Sequence, residues 1–470
     1  MKSHRYHIIT FGCQMNKSDS ERIESVLRGM GMEVVDRPEE ADVIVMNTCS
    51  VRKSAEDRVY GLSYNFSKLK KQKPDLVVCI TGCMPGRDKD GKLKKKLKEV
   101  DFYFPIKDVG KLPGWLHVKA ASGPRATEER EAGGSVTQPH PLSPSPYKGE
   151  GGRAETVGSE YLSLTPVYKN KFQAFVTIQT GCNHFCTYCV VPFARGTEGN
   201  RSLKEILDEV HNLAAQGCKE ATLLGQIVNH YIAPDPEYFS ESNPYKKNDF
   251  AKLLWEINQI PGIRRIHWTG PHPIYMDDEM IDALTLPSQI NFLHLPVQSG
   301  NTEILQKMNR RHDREFFLDL IKKIKNKRPG IALGTDIIVG FCGEKEAQFE
   351  DTISMYKICD FDIAYPAKYS TRPGTIAAKK FVDDVPWQEK KRRWQAVQDL
   401  MEEITWRKNQ AYIGKKVSVL VENWQDGYCT GNSSELKLVE FLGKGDLVGT
   451  IQEIEIDKAE EWILRGRPVT

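Results

Sequence analysis

Three cysteines, Cys182, Cys186 and Cys189, stand in a CxxxCxxC spacing just after an apolar stretch of the chain. Thiolates are the usual ligands of iron–sulfur clusters, and a cubane cluster normally takes four of them. A group of three leaves one iron open to another ligand, as a catalytic zinc site keeps one position open for substrate. Three small buried hydrophobic side chains are the alternative. The close spacing, with Gly181 and Asn183 at the turn, favours the cluster.

A second set of three cysteines, Cys13, Cys49 and Cys83, is spread over the N-terminal segment. Each follows an apolar stretch that predicts a strand. Because the carboxyl ends of parallel strands lie at one edge of a sheet, where ligands bind, we expect these thiols to converge on a second cluster with an open iron. Ordinary buried cysteines near strand ends are the alternative, and they explain Cys79 better. A zinc site is less favoured, because structural zinc takes four ligands from paired CxxC-like groups.

The elements that must position the second set alternate between strand and helix. Strands are predicted at residues 6–10, 42–47 and 76–81, with helices at residues 20–28 and about 54–69. This alternation predicts an N-terminal doubly wound parallel α/β domain over residues 1–118. Residues 119–165 are rich in Pro, Gly, Ser and Glu. They contain too few apolar side chains to offset the entropy of ordering, so we expect a disordered linker or insertion.

The central segment, residues 166–408, predicts six strand–helix units and therefore an open (β/α)6 partial barrel. The predicted strands are residues 172–179, 220–224, 265–269, 292–295, 332–339 and 363–369. Chemistry is expected at the carboxyl ends of such strands, as in complete barrels. Gln226, His272, Gln298 and Asp336 fall near those ends, and we expect them to line a cofactor site. Caps on their own strands are the alternative.

Arg195, Glu198 and Arg201 follow the central cysteine loop closely. An arginine beside an RNA substrate pairs with phosphate or stacks on a base, which makes these residues candidate substrate contacts. A structural salt bridge between Glu198 and one of the arginines is the equal alternative.

The C-terminal segment, residues 409–470, predicts a small β-barrel of about five short strands, in the style of oligonucleotide-binding barrels. Strands are predicted at residues 416–422, 427–430, 436–441 and 447–456. Trp424 and Tyr428 are candidates for stacking on unpaired bases. Because aromatic residues in a small barrel more often fill its core, we expect core positions for both.

Composition narrows the class of protein without deciding its partner. Lys and Arg number 66 and Asp and Glu 63, which leaves a formal net charge of +3, so any nucleic-acid surface must be local. Lysine-rich runs at residues 68–73, 92–98 and 390–393 are expected to be solvated faces of helices. Eleven cysteines without a secretory signal indicate a reducing compartment, and no apolar run is long enough for a membrane helix. We expect a cytoplasmic monomer.

With these segments placed, nearly the whole chain resembles the radical S-adenosylmethionine (radical-SAM) methylthiotransferase family. The resemblance is carried by residues 12–16, 47–52, 82–84, 181–192, 195–198, 294–300, 335–341 and 369–375. The C-terminal tail resembles a TRAM domain, an RNA-binding β-barrel. Residues 47–52, followed by Ala55 and Glu56, resemble the branch that modifies N6-dimethylallyladenosine next to the anticodon of tRNA. Branches that act on threonylcarbamoyladenosine in tRNA or on a ribosomal protein are the alternatives.

The resemblance implies two 4Fe–4S clusters and two molecules of S-adenosylmethionine per turnover. Cys13, Cys49 and Cys83 are implied to hold an auxiliary cluster, on which a sulfur receives a methyl group. The cluster of Cys182, Cys186 and Cys189 is implied to cleave the second S-adenosylmethionine, whose radical removes hydrogen from C2 of the adenine before methylthio transfer. Implied partners are the tRNA anticodon stem-loop, an electron donor such as flavodoxin or ferredoxin, and the iron–sulfur assembly machinery.

Two residues depart from the family pattern near the expected site. Ile227 stands where the family has Asn, and Cys342 stands where it has Pro; we expect Cys342 to be a bystander and not a ligand. A function from another class is a non-catalytic RNA-binding protein with structural clusters. The sets of three cysteines argue against it, because a structural cluster is normally closed by a fourth cysteine.

Overall fold

The structure is a computed structural model that describes residues 4–50, 53–122 and 159–469. The chain forms two compact units: Met1–Gly12 with Asp19–Val167, and Cys13–Ser18 with Tyr168–Thr470. No helix in the described ranges is long and apolar enough to cross a membrane.

The first unit contains a five-stranded parallel sheet. Its strands are β1 (Arg5–Thr10), β2 (Glu33–Val34), β3 (Val43–Thr48), β4 (Val77–Gly82) and β5 (Phe102–Tyr103). They run in the order β2-β1-β3-β4-β5, and every neighbouring pair is parallel. This is the doubly wound order of flavodoxin-like folds, in which ligands bind between β1 and β3. The prediction of a doubly wound sheet is confirmed, although the two-residue edge strands β2 and β5 were not predicted.

Both faces of this sheet are buried, because helices cover each side. The helices of this part of the chain are α1 (Gln14–Gly29), α2 (Lys53–Gln72), α3 (Cys83–Arg87), α4 (Leu112–Ser122) and α5 (Ser159–Leu162). Val43 and Val45 of β3 join one core with Leu27 of α1. Ile44 and Met46 join the opposite core, on the side of α2. The alternation follows the two-residue period of a strand.

The predicted linker, residues 119–165, lies largely outside the described residues. Its described ends are helical, because α4 continues to Ser122 and α5 occupies Ser159–Leu162. Tyr161 and Leu162 are buried in the core of the first unit. Tyr161 and Leu162 therefore pack with the α/β unit, and the predicted domain bounds stay predictions.

The central part of the second unit has six parallel strands in chain order, as predicted. The six are β6 (Gln173–Thr177), β9 (Glu220–Leu224), β10 (Arg265–Thr269), β11 (Phe292–His294), β12 (Ala332–Val339) and β13 (Ile363–Lys368). Two further short strands, β7 (Gln179–Thr180) and β8 (Gly199–Asn200), lie between β6 and β9 in the sequence. Strands β6, β9 and β10 form one three-stranded sheet, and β11, β12 and β13 form another. A parallel bridge between Ile266 and Gln289 links the two sheets. The short strands β7 and β8 pair separately.

Helices cover the outside of these strands and build one large core. They are α6 (Val191–Arg195), α7 (Leu203–Ala215), α8 (Asp249–Asn258), α9 (Asp278–Ala283), α10 (Thr302–Lys307), α11 (Arg314–Lys327), α12 (Glu346–Cys359), α13 (Ile376–Lys380) and α14 (Trp387–Gln410). Ile206, Leu254 and Phe317, from three of these helices, are fully buried in it. The alternating strands and helices form the open partial barrel that the sequence predicts.

The C-terminal segment closes into a five-stranded barrel. Its strands are β14 (Lys416–Gln425), β15 (Tyr428–Ser433), β16 (Leu438–Leu442), β17 (Ile451–Ala459) and β18 (Leu464–Pro468), joined in the order β14-β15-β16-β18-β17. Val419, Phe441 and Ile454 belong to the core. Trp424 is 45% exposed and Tyr428 46% exposed. The expectation that these two aromatics fill the core is therefore wrong, because both lie next to the turn between β14 and β15, beyond the closed part of the barrel.

Buried polar side chains fasten this barrel to the central part of the second unit. The Arg265 guanidinium donates to the carbonyl oxygens of Asn432, at 2.7 Å, and Ser433, at 3.0 Å. The Asp362 carboxylate lies 3.2 Å from the Lys437 ammonium group. Asn409, at the end of α14, donates to the carbonyl of Glu460 at 2.8 Å.

The charged run at residues 390–393 departs from the expectation of a solvated helix face. Lys390 and Arg393 are both buried. Lys390 donates to the Tyr369 carbonyl at 3.1 Å, and Arg393 forms an ion pair with Glu344 at 2.9 Å. Residues on one side of a long helix must face the core. Lys390 and Arg393 lie on that side of α14, and each places its charged group against a buried partner.

Candidate iron–sulfur and cofactor site

The central cysteines lie in the loop between β7 and α6, at the carboxyl end of β6. Cys182 and Cys186 are buried, and Cys189 is half-buried. Gly181 precedes the loop with φ +76°, and a Cβ atom there would overlap the backbone of Thr197. Only glycine adopts such a conformation readily and permits so close a backbone approach. The pairing of β7 with β8 thus brings the loop against residues 196–198.

Each of the three sulfurs faces an N–H donor. The backbone N–H of His184 donates to Cys182 Sγ at 3.4 Å, and that of Val191 donates to Cys189 Sγ at 3.4 Å. An Arg310 Nη1–H group lies 3.8 Å from Cys186 Sγ. In the metal-free chain, burial raises the pKa of Cys182 to about 11 and that of Cys189 to about 12. A thiol that binds iron must lose its proton, because the thiolate is the ligand.

The residues just after α10 hold the cysteine loop in place. Thr187 donates its N–H to the Met308 carbonyl at 3.0 Å, and its hydroxyl to the Lys307 carbonyl at 2.8 Å. Asn309 donates its side-chain amide to the His184 carbonyl at 2.9 Å. Sequence reasoning missed this contribution, because the polar run after α10 reads as an ordinary helix end.

A chain of rings and polar contacts joins the loop to its neighbours. Tyr275 Oη lies 2.8 Å from His184 Nε2. The Tyr275 ring stacks on His230 with centroids 4.1 Å apart, and His230 Nδ1 lies 2.8 Å from a Glu198 carboxylate oxygen. Burial lowers the pKa of His184 to about 4, so its imidazole is neutral at physiological pH.

The predicted cofactor residues lie along the carboxyl edge of the strands, with one difference. Gln226 follows β9, His272 follows β10 and Gln298 follows β11. Asp336, in contrast, lies inside β12, where its carboxylate is 3.1 Å from His294 Nε2. Four successive strands therefore each contribute one of the predicted side chains.

His272 is buried with an unused ring nitrogen. Its Nδ1 accepts from the Ile274 N–H at 3.4 Å, and its backbone N–H and carbonyl are both bound by the Asn229 amide. No described side chain or backbone group partners His272 Nε2. Burial lowers the pKa of His272 well below its usual value. A neutral buried imidazole of this kind retains a donor for a further group.

Gln298 adopts a left-handed backbone conformation that residues other than glycine rarely take. Its φ is +73° although it is buried. The strain is held by two backbone hydrogen bonds: Gln298 N–H to the Asp336 carbonyl at 2.9 Å, and Ile338 N–H to the Gln298 carbonyl at 2.8 Å. Strained residues of this kind cluster at functional sites, which makes Gln298 a stronger candidate than sequence alone made it.

The candidate substrate contacts divide into different environments. Arg201 is buried and forms ion pairs with Glu209 and Glu205, so its guanidinium is used within the fold. Glu198 holds His230, as described above. Arg195 is half-buried at the end of α6. Of the two arginines, Arg195 is thus the more exposed.

The N-terminal cysteines each come within three residues of the end of a parallel strand of the first sheet. Cys13 follows β1, Cys49 follows β3 and Cys83 follows β4. Cys49 and Cys83 are buried, whereas Cys13 is exposed. Cys79, inside β4, is fully buried, and burial raises its thiol pKa; it is the core residue that the sequence predicts.

The three N-terminal cysteines lie at the carboxyl edge of the first sheet, where the strand order reverses between β1 and β3. That reversal point is the ligand-binding position of doubly wound sheets. Among the described residues, no three His, Cys, Asp or Glu side chains are grouped so as to hold a single metal ion. A cubane cluster has a different requirement, since each of its irons takes its own thiolate.

Comparison with known protein families divides the chain in the same way. Residues 5–105 match the model described as "Uncharacterized protein family UPF0004", and residues 176–356 match the Radical SAM superfamily. Membership of that superfamily implies a 4Fe–4S cluster and S-adenosylmethionine.

Curated relatives match over nearly the whole chain. A tRNA-2-methylthio-N(6)-dimethylallyladenosine synthase of Clostridium botulinum (strain Okra / Type B1) is 38% identical over 469 residues, which are 99% of this chain and 97% of that protein. The chain belongs to this synthase family. A synthase of the same name from Geobacillus kaustophilus is 39% identical over 477 residues, covering 100% of this chain and 83% of that protein. The synthase family consists of radical-SAM tRNA methylthiotransferases.

A solved structure resembles the fold of this chain. The radical S-adenosylmethionine methyltransferase TsrM from Kitasatospora setae, with cobalamin and a [4Fe-4S] cluster bound, aligns with a TM-score of 0.52. The alignment covers 80% of this chain and 74% of that chain, at 16% sequence identity. The likeness concerns the fold.

Proposed function

We propose that this chain adds a methylthio group to C2 of N6-dimethylallyladenosine next to the anticodon of tRNA. The observation that carries the proposal is the full-length identity to synthases of that name, 38% over 99% of this chain, together with a loop of three cysteines at the carboxyl edge of a partial barrel.

The residues of the central loop fit a cluster with one open iron. Cys182, Cys186 and Cys189 are the proposed ligands, and each sulfur faces an N–H or guanidinium donor. Such donors stabilise thiolates and are among the features that set the potential of an iron–sulfur cluster. We propose Gln226, His272 and Gln298, which follow their strands at the carboxyl edge, and Asp336, which lies inside β12, as the contacts to S-adenosylmethionine.

The Cys13, Cys49 and Cys83 set is the proposed holder of a second 4Fe–4S cluster, with two molecules of S-adenosylmethionine used per turnover. When bound, the clusters and S-adenosylmethionine supply a 5′-deoxyadenosyl radical together with the sulfur and methyl group that are transferred. The chain's own residues hold the thiolates, keep the neutral imidazoles of His184 and His272 at the site, and exclude water.

The proposed partners are the anticodon stem-loop of tRNA, a low-potential electron donor such as flavodoxin or ferredoxin, and the iron–sulfur assembly machinery. Arg195 is the proposed contact to RNA, with Glu198 acting through His230. Arg201 is left out of this proposal, because its ion pairs with Glu205 and Glu209 use its guanidinium. We place the reaction in the cytoplasm, where tRNA is found, and propose that the chain acts as a monomer.

Expression of the chain in a bacterial host that lacks its own tRNA methylthiolation enzyme tests this proposal. Digested tRNA nucleosides are analysed by mass spectrometry. We expect 2-methylthio-N6-dimethylallyladenosine to appear, and a Cys186→Ala chain serves as the matched control. If only the precursor remains while the purified protein still cleaves S-adenosylmethionine, the substrate assignment is wrong. The threonylcarbamoyl nucleoside and ribosomal proteins are then examined.

A further inference from the structure

We propose that Arg310 is a positioning residue whose buried guanidinium stabilises the reduced form of the cluster held by Cys182, Cys186 and Cys189. This inference rests on the proposed function, because it assumes that these three cysteines are the cluster's ligands. No family pattern used above involves Arg310, and its role follows from its contacts.

The position of Arg310 is set by the segment after α10. The residue is 8% exposed. Its Nη1–H group lies 3.8 Å from Cys186 Sγ, and its Nη2–H group donates to the Pro296 carbonyl at 2.9 Å. Its Nε–H has no hydrogen-bond partner among the described residues. The adjacent Asn309 holds the His184 carbonyl, so the guanidinium and the cysteine loop are parts of one fixed arrangement.

The charge of Arg310 is not balanced by a carboxylate. Three other buried arginines of the described chain each form an ion pair with an acidic side chain: Arg201 with Glu209, Arg265 with Glu220 and Arg393 with Glu344. No ion pair between Arg310 and a carboxylate occurs in the described ranges; its contacts are Cys186 Sγ and a carbonyl. Because a buried charge without a counter-ion is costly, the site requires an anion beside Arg310.

A thiolate-bound cluster is that anion, and its reduction increases the negative charge. A positive group in a buried site acts across a low effective dielectric, so it stabilises the more negative, reduced state. Net charge and hydrogen bonds to sulfur are among the determinants of cluster potentials. Arg310 thereby makes the cluster easier to reduce by the one-electron donor that the reaction needs.

A redox titration of the full-length chain tests the inference. The background carries Cys13→Ala, Cys49→Ala and Cys83→Ala, so that one reconstituted cluster is observed. Dithionite is the reductant, and the reduced cluster is followed by electron paramagnetic resonance. We expect Arg310→Gln to lower the equilibrium constant for one-electron reduction about tenfold, which is a midpoint shift of about 59 mV to more negative potential.

Two further variants separate charge from other effects. Arg310→Lys keeps the positive charge, and we expect its potential to lie much closer to the parent's than that of Arg310→Gln. Arg311→Gln removes the same formal charge from the exposed neighbour, and we expect a shift of less than threefold, because solvent screens that group. Equal potentials for the parent and Arg310→Gln would overturn the inference, as would equal shifts in Arg310→Gln and Arg311→Gln.

The remaining outcomes are also decisive. If Arg310→Gln does not fold, Arg310→Met takes its place as the uncharged variant of similar length. Loss of the cluster from the uncharged variant but not from Arg310→Lys supports a role of the positive charge. Loss of the cluster from both variants, in chains that still fold, overturns the inference. The proposed ligands are tested separately: a Cys186→Ala chain that retains the parental cluster signal contradicts the ligand assignment, whatever the Arg310 variants show.

Discussion

The thiols of the central loop lie in a buried environment, which disfavours a thiolate that is not bound to metal. The same environment provides N–H donors that would stabilise a thiolate bound to metal. Burial raises the pKa of Cys182 and Cys189, while backbone N–H groups lie 3.4 Å from both sulfurs. Binding of the proposed cluster would displace these protons, and the N–H donors would then face charged sulfurs. Other buried cysteines, such as Cys218, lie outside this loop.

Replacing one proposed ligand should abolish radical formation. We expect Cys186→Ala to produce no detectable 5′-deoxyadenosine from S-adenosylmethionine, because the cluster loses one of its three thiolates. Cys218→Ala is the matched control, since Cys218 is also buried but donates to the Glu220 carbonyl at 3.3 Å, away from the loop. Product analysis by chromatography distinguishes the two; wild-type yields from Cys186→Ala would contradict the ligand assignment.

A buried histidine predicts part of the acid sensitivity of the fold. His267 on β10 is 8% exposed, and burial, aided by His294 and Arg265, lowers its pKa to about 3. The unfolded chain protonates this group below its ordinary pKa of about 6.5, whereas the folded chain does not. The free energy of unfolding should therefore fall as the pH drops from about 6.5 towards 3, by up to about 1.4 kcal/mol per pH unit from this residue.

We expect His267→Gln to have a shallower loss of stability over this window. Urea unfolding of the metal-free chain between pH 6.5 and 4.5 measures the two slopes. Histidines that do not interact with His267 contribute equally to both proteins, so the difference reports His267 together with its interaction with His294. Parallel profiles for the two proteins would show that His267 is protonated in the folded state as readily as in the unfolded one.

At the scale of elements, the site depends on strand ends and on one tight crossing. The pairing of β7 with β8, between Thr180 and Gly199, brings the cysteine loop close to residues 196–198. Cys182 donates its N–H to the Gly196 carbonyl at 3.1 Å. The approach is close enough that only glycine fits at position 181.

Adding one methyl group at this crossing should displace the loop. We expect Gly181→Ala to lose at least about 2 kcal/mol of stability, because left-handed backbone costs a non-glycine residue about 1–2 kcal/mol and the new Cβ overlaps the Thr197 backbone. Cluster content should fall with it. Gly199→Ala, on the partner strand, is the control: a Cβ there meets no atom within 4 Å. Urea unfolding measures the stability of both variants, and iron analysis measures their cluster content. Equal stability and equal iron content would contradict the proposed role of the close approach at residue 181.

At the scale of the whole molecule, the chain carries two separate sets of three cysteines on two different folds. We expect Cys49→Ala to spare 5′-deoxyadenosine formation and to eliminate methylthio transfer, because the proposed second cluster supplies the sulfur. Cys79→Ala is the control, as Cys79 is a core residue of the neighbouring strand β4. Cofactor cleavage and tRNA nucleosides are measured on the same preparations. Full transfer by Cys49→Ala would remove the N-terminal cysteines from the mechanism.

The terminal barrel carries two exposed aromatic side chains that we propose as contacts to RNA. Trp424 and Tyr428 flank the turn between β14 and β15, and both are nearly half exposed. We expect Trp424→Ala to weaken tRNA binding by roughly 1–3 kcal/mol, the range measured for stacking of one base on an aromatic side chain. Trp462→Ala, which removes an exposed tryptophan before β18, is the control in the same filter-binding assay. Equal affinities for the two variants would assign no special role to Trp424.

The sequence by itself determined the elements that have strong periodic signals and the residues whose spacing carries chemistry. Local patterns predict the long parallel strands of both folds, the cysteine loop and the core position of Cys79. Strand burial and ligand spacing can be recognised from residues that lie close together in the sequence. Very short elements could not be predicted, because the two-residue strands β2 and β5 contain too few residues to show a period. The helical ends of the predicted linker were missed because their burial depends on a distant core.

Only the tertiary structure decided which side chains surround the cysteines. Asn309 and Arg310 lie more than a hundred residues after the loop that they contact, so no local pattern reveals them. The left-handed backbone of Gln298 is imposed by strand β12, and the exposure of Trp424 by where the barrel closes. Arg201 forms ion pairs with Glu205 and Glu209 of the following helix α7 for the same reason. A charged side chain takes the partner that folding places beside it, and that placement is a property of the packed chain.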